Sequence, residues 1–215
     1  MRFNWLGYEV SNLLPENWRQ QVIDVANKHT VYRDLPKTPL TSREDSSVIS
    51  LSRGRVSGEV VYGELPWLFE AYHSFFLSLA SRFTSQMVYC AKDIRYGVVL
   101  NVAKGNHMRF ECHVDSNPLE GLLFCTDHPP GAGGELIVSN NKEAVGISKV
   151  NEDCSTIYPI SGQLVFFDAR EYPHYVKPLQ DKDSMRVVAA MNYYTDSCQE
   201  NTRPQEINRY LFGRE

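Results

Sequence analysis

Gly162-Gln163-Leu164-Val165-Phe166-Phe167-Asp168 is an apolar run too short for a helix and closed by a turn signal, and Tyr172-Pro173-His174-Tyr175-Val176 follows it closely. The pair reads as a buried strand, a turn and a second strand that carries a histidine near its start. Working outward, Val187-Val188-Ala189-Ala190-Met191-Asn192-Tyr193-Tyr194 is another apolar strand pattern, headed by Arg186. Upstream, short runs rich in Val, Ile, Tyr and Phe recur between Gly, Pro, Asn and Asp signals. Strands are expected at 87–92, 95–103, 107–114, 120–126, 134–139, 155–160, 163–168, 173–177 and 185–194. With no helical pattern between them until after Pro204, they predict an antiparallel sandwich or barrel rather than a parallel α/β sheet.

The first third differs. Trp18, Val22, Val25 and Ala26 recur at helical spacing behind Pro15, and Leu68, Tyr72, Phe75, Phe76, Leu79 and Phe83 form one apolar face behind Pro66. Between these two helices, Arg33 to Ser47 reads as a long loop, and its part from Thr38 to Ser47 as a candidate lid. The expectation is a mainly β fold with an α flank, one domain over 1–215. Residues 1–86 would be the helical flank and lid loop, 87–195 the core, and 196–215 a tail ending in a helix.

The chain has 215 residues, 42% of them hydrophobic and 22% charged, which excludes disorder and allows an enclosed pocket. With 22 Lys and Arg against 26 Asp and Glu, the net charge is −4, so nothing in the composition attracts a nucleic acid. No apolar stretch reaches the ~18–20 residues of a membrane span. Five irregularly placed cysteines (Cys90, Cys112, Cys125, Cys154, Cys198) and a start without an apolar leader predict a cytoplasmic protein with free thiols.

Chemistry gathers on the β region. In His113-Val114-Asp115, strand alternation puts residues i and i+2 on one face, so an imidazole and a carboxylate can converge. Alone that pair is weak evidence. His174 supplies a second imidazole, and Arg186 is a charge whose burial in so apolar a strand requires an anionic partner. Two histidines and one carboxylate make a facial triad with open positions, the arrangement suited to non-haem Fe(II).

Together with Gly131-Ala132-Gly133-Gly134-Glu135-Leu136, these features resemble, in order and spacing, the Fe(II)/2-oxoglutarate-dependent dioxygenases in their prolyl 4-hydroxylase-like branch. The resemblance covers residues 95–195. It implies a double-stranded β-helix (jelly roll, cupin-like), here supported by the N-terminal helices. It also implies Fe(II) held by His113, Asp115 and His174, and 2-oxoglutarate held through its distal carboxylate by Arg186. O2 would be the oxidant, and the keto acid would leave as succinate and CO2 while an unactivated C–H bond is hydroxylated. A cosubstrate-contacting Tyr often stands on the strand before the first His, where this chain offers Tyr96 or Asn101. Prolyl hydroxylases usually carry Lys in place of Arg186. Halogenases of the superfamily replace the Asp ligand by Gly or Ala, whereas Asp115 is present.

Around these positions, Arg109 and Glu111 share the alternation phase of His113 and are candidates for binding a charged substrate. Asn192 and Tyr194 continue the phase of Arg186. Cys112 reads as core, His107 as a structural histidine, His128 as solvent-exposed in a turn, and Gly131 to Gly134 as a hairpin turn. The expected function is hydroxylation of a small polar metabolite, free or carrier-linked amino acids above all. The alternatives are a protein residue as substrate, a Zn hydrolase, and a non-catalytic β-barrel that binds a ligand or metal.

Overall fold

The computed structural model describes residues 3–204 and 206–212, apart from the side chain of Asn208. In chain order the elements are β1 (Trp5–Glu9), α1 (Trp18–His29), β2 (Val31–Pro36), β3 (Ser50–Val56), α2 (Gly58–Glu64), α3 (Pro66–His73), α4 (Phe75–Ala80), β4 (Val88–Cys90), α5 (Ile94–Gly97), β5 (Val98–Lys104) and β6 (Phe110–His113). There follow β7 (Leu119–Phe124), β8 (Leu136–Ser139), α6 (Ile147–Glu152), β9 (Cys154–Ile157), β10 (Gln163–Phe167), β11 (His174–Val176), β12 (Met185–Thr195) and α7 (Ile207–Phe212). The strands form two antiparallel sheets. The larger runs β1-β10-β7-β12-β5-β3-β2, with β4 also on β12; the smaller runs β6-β11-β8-β9. This is the jelly-roll architecture.

The alternation of β12 separates two cores. Val187, Ala189, Met191 and Tyr193 pack under the helices with Trp18, Val22, Leu68, Tyr72 and Phe76. Val188 and Ala190 face the other way and join Val99, Leu122, Phe124, Val165 and Phe167 against Leu136, Val138 and Val176 of the small sheet. Period-two patterning in one strand therefore seals the helical layer on one side and lines the interior of the roll on the other. Tyr72 joins these layers: its hydroxyl donates to the carbonyl of Asn192 and accepts from the N–H of Ala91, both at 2.6 Å.

Several expectations are corrected. Residues 1–86 are not only a helical flank, because they supply β1, β2 and β3 to the large sheet. β1 is short, β2 is largely solvent-facing, β3 is mostly Ser, Arg and Gly, and Pro36 and Gly54 interrupt the apolar signal. The loop expected from Arg33 accordingly starts after Pro36. The helix from Pro66 breaks at Ser74 into α3 and α4. The strand expected from residue 95 begins at Val98, because Asp93 accepts from the N–H of Arg95 and caps the one-turn α5. Helix α6 lies between strands where no helix was expected. His128 is buried rather than exposed, with Nε2 3.2 Å from Thr126 Oγ1. His107 is exposed, without the partners of a structural histidine. Among the described residues, no helix is long and apolar enough to cross a membrane.

Candidate active site

His113 ends β6 and His174 opens β11, and the antiparallel register sets them directly opposite each other. Each ring is fixed by its Nδ1, which lies 2.6 Å from the carbonyl of Glu111 in one case and 2.9 Å from that of Tyr172 in the other. A carbonyl only accepts, so Nδ1 carries the proton and each Nε2 is left with its lone pair. Asp115 lies just beyond β6, and its own N–H donates to Ala169 at 2.8 Å. Its Oδ1 is 3.1 Å from His113 Nε2 and its Oδ2 3.7 Å from His174 Nε2. One donor atom from each of the three lies within 4.8 Å of the others, a cluster that can hold a metal ion.

The electrostatics favour the ligating forms at two of the three groups. Burial, then the neighbouring His113, hold His174 down at about 4, so its imidazole is neutral. Burial works upward on Asp115 but is outweighed by the hydrogen bond and charge of His113, and the carboxyl titrates below its ordinary range. For His113 burial works downward, yet the Asp115 carboxylate prevails and raises it. The two shifts are those of an ion pair, the proton favoured on His113 and the charge on Asp115.

Arg186 lies across the interior on the large sheet, 1% exposed. Its Nε donates to the carbonyl of Gly134 at 2.8 Å and its guanidinium sits 5.6 Å over the Phe124 ring, but its buried Nη2 has no partner. Burial lowers its pKa to about 10. A guanidinium nitrogen without an acceptor in so dry a place is a vacancy for an anion. The glycines at 131–134 do not close a hairpin: they carry the chain from the large sheet to the small one, with Gly133 and Gly134 at φ of +83° and +78°. A Cβ on Gly134 would come within 3.1 Å of Arg186 Cδ, so this crossing helps shape the berth of the arginine.

These groups line one cavity of about 90 Å³ that is partly open, the side chains of His113 and Asp115 keeping 22% and 17% exposure. Tyr96, Asn101, Glu111 and Asn192 also line it, each engaged within the protein. Tyr96 donates to Asn117 Oδ1 at 2.9 Å, Asn101 Oδ1 accepts from Arg55 Nε at 3.0 Å, and Asn192 Nδ2 donates to the carbonyl of Tyr96 at 2.6 Å. Glu111 pairs with Arg53 and accepts from the N–H of Thr38 at 3.0 Å. Arg109 is not on the cavity. It pairs with the buried Glu44 (Nη2 to Oε2, 3.1 Å), which also accepts from the N–H of Cys112, so it anchors the loop that was a candidate lid. Tyr194 is buried but does not line the cavity.

Sequence reasoning missed Glu120, Arg55, Ile207 and Leu211 on the cavity lining, whereas Thr38 and Thr41 come from the stretch expected as a candidate lid. Glu120 interrupts the apolar run of β7, the same signal that singles out Arg186 in β12. Burial, then the Asp115 charge, raise its carboxyl well above the ordinary range, while Asn117 Nδ2 donates to it at 3.0 Å.

Residues 98–194 match the family model of the 2OG-Fe(II) oxygenase superfamily. No curated protein matches the sequence. Among solved structures, AviO1 from Streptomyces viridochromogenes Tue57 superposes with a TM-score of 0.62 at 15% identity, covering 92% of each chain. A prolyl hydroxylase from Trichoplax adhaerens, in complex with a hypoxia inducible factor peptide fragment, gives 0.60 at 16% identity over 90% of this chain and 84% of its own. The epimerase SnoN of nogalamycin biosynthesis, in complex with Fe3+, alpha ketoglutarate and nogalamycin RO, gives 0.59 at 12% identity over 90% and 80%. At such identities the likeness to these structures is one of fold.

Proposed function

From a chain whose residues 98–194 match the 2OG-Fe(II) oxygenase superfamily, we propose an enzyme that hydroxylates a small polar metabolite, an amino acid free or carrier-linked. Fe(II), 2-oxoglutarate and O2 are the cofactor and cosubstrates of that superfamily. Three convergent donors, two imidazole nitrogens and a carboxylate oxygen, suit ferrous iron, and the partnerless Nη2 of Arg186 suits the distal carboxylate of the keto acid. When bound, iron and the keto acid supply the oxidation: 2-oxoglutarate and O2 give succinate and CO2, and the second oxygen atom goes to the substrate carbon.

The protein's own part is placement. The carbonyls of Glu111 and Tyr172 keep both Nε2 atoms facing inward, and Asp115 stays ionised against His113. Arg186, fixed by Gly134, orients the anion that reaches it. Thr38, Thr41, Ile207 and Leu211 line the same cavity. Tyr96 and Asn101 sit where they can contact the cosubstrate, and Asn192 where it can contact the substrate. Arg109 has no such role, and Glu111 holds the wall through Arg53.

The observation that carries this reading is the single cavity that holds both the three-donor cluster and an unsatisfied buried guanidinium nitrogen. Its small volume supports a small substrate over a segment of protein chain, and a zinc hydrolase leaves Arg186 unexplained.

Anaerobic titration of the Fe(II)-loaded protein with 2-oxoglutarate tests it. A weak visible charge-transfer band of the chelated keto acid is expected, and Arg186→Ala should need roughly 10–100-fold more cosubstrate, the equivalent of one charged hydrogen-bonding partner. No band at any concentration would sink the reading. With the band in place, succinate release coupled to free or carrier-linked amino acids, set against release coupled to peptides, identifies the substrate class.

A further inference from the structure

Beside the metal cavity lies a second, larger cleft of about 360 Å³, on the face of the β2–β3 hairpin. Arg33 of β2 and Arg53 of β3 are direct cross-strand partners, and Arg55 follows on the same face, opposite Val31. Like charges placed directly opposite are destabilising in a sheet. Only Arg53 is compensated, by Glu111. Arg55 uses Nε on Asn101 and stacks its guanidinium 5.6 Å from the Phe212 ring, and among the described residues no carboxylate pairs with it or with Arg33. Burial and then the Arg53 charge bring Arg55 down to about 10. Of the other ionisable groups on the cleft, His29 pairs with Glu64 and Arg95 with Asp93, and the one carboxylate on the lining, Glu59, acts on Arg95. One directly opposed pair of arginines and a third on the same hairpin face, two of the three without a carboxylate partner, mark a ligand site rather than a structural one.

The cleft and the metal cavity share Arg53, Arg55 and Leu211, so they adjoin. The smaller, at about 90 Å³, is filled once it holds a five-carbon keto acid. Most of a substrate must then lie in the larger, whose volume is that of an ordinary ligand pocket. Val31, Leu35 and Leu211 give that cleft an apolar lining below its arginines. We propose that the cleft receives an anionic group, carboxylate or phosphoryl, carried by the substrate away from the carbon that is oxidised, with Arg55 and Arg33 as its two binding cations. As a substrate site the cleft rests on the oxygenase reading; as an anion site it stands without it.

The test uses the full chain without added iron, titrated calorimetrically with inorganic pyrophosphate and separately with N-acetylglycine. At least one should bind, tenfold or more weakly in Arg33→Gln and in Arg55→Gln, and unchanged in Arg186→Gln. Binding of pyrophosphate alone assigns a phosphoryl group, and binding of N-acetylglycine alone a carboxylate. Arg55→Gln also loses the bond to Asn101, so Arg33→Gln is the cleaner variant. Relief of its repulsion with Arg53 should raise Tm by roughly 1–3 °C while binding falls, a combination that damage to the fold would not give. The proposal is overturned if neither anion binds, if both arginine variants bind like wild type, or if binding is lost only in Arg186→Gln. These outcomes are independent of the charge-transfer band. A band without anion binding removes the cleft alone, and anion binding without a band removes the oxygenase reading alone.

Discussion

Glu120 is a carboxyl group placed where its charged form is poorly tolerated, inside the roll and in the field of Asp115. Its pKa is raised well above the unfolded value of 4.5, so the folded state keeps a proton that the unfolded chain releases above that pH. Stability contributed by this group is therefore full below about pH 4.5 and lost as pH rises toward the folded value. Glu120→Gln, which still offers an oxygen to Asn117, should make the metal-free protein more stable than wild type at pH 7 and no different at pH 4. Urea midpoints at the two pH values check this, and equal midpoints at pH 7 would mean that Arg55 or solvent compensates the carboxylate in place.

Among the elements, α3 is held to the large sheet by a few polar contacts within an apolar seam. Tyr72 stacks on Tyr193 with ring centroids 4.9 Å apart, and its hydroxyl serves two backbone groups of different segments. Tyr72→Phe leaves the carbonyl of Asn192 and the N–H of Ala91 buried without partners, and should cost about 1–3 kcal/mol in denaturant unfolding with an unchanged m value. This seam was readable in advance, because Tyr72 and Tyr193 stand on strongly periodic apolar runs. Arg186 was legible as a charge heading an apolar strand, whereas His113, Asp115 and His174 were legible only together, through their spacing and the family resemblance it carries. What escaped lies where the pattern is weak. β2 exposes much of its surface, and β3, Ser50-Leu51-Ser52-Arg53-Gly54-Arg55-Val56, has little apolar alternation, so Arg53 and Arg55 gave no strand signal by which to place them on the cavity. Arg109 was misplaced by the rule that served for His113: phase along a strand tells which residues share a face, but not that Glu44, from a loop 65 residues away, turns this one aside.

At the scale of the whole molecule, the site joins the two sheets. The imidazoles belong to the small sheet through β6 and β11, and Arg186 to the large one through β12. A keto acid held at both ends would tie the layers together, and anything that binds only the native state stabilises it by RT ln(1 + [L]/Kd). Iron and 2-oxoglutarate, each at about a hundredfold above its dissociation constant, should add roughly 2.7 kcal/mol apiece, or about 5–10 °C in Tm for each. The part due to 2-oxoglutarate should disappear in Arg186→Ala while the part due to iron remains. Thermal scans with each ligand alone and with both resolve the two contributions.

The loop from Lys37 to Ile49 runs along the outer side of β6. Arg43 N–H donates to the carbonyl of Cys112 at 2.7 Å, Val114 N–H to that of Thr41 at 2.9 Å, and Ser42 bridges His113. The buried Glu44 fastens it there. In effect it is a surrogate strand on the open margin of a four-stranded sheet, satisfying backbone groups that would otherwise offer a template to another chain. Releasing it, by a protease cut or by loss of Glu44, would thus do more than uncover a pocket: it would give the molecule an adhesive edge and turn a loop defect into self-association.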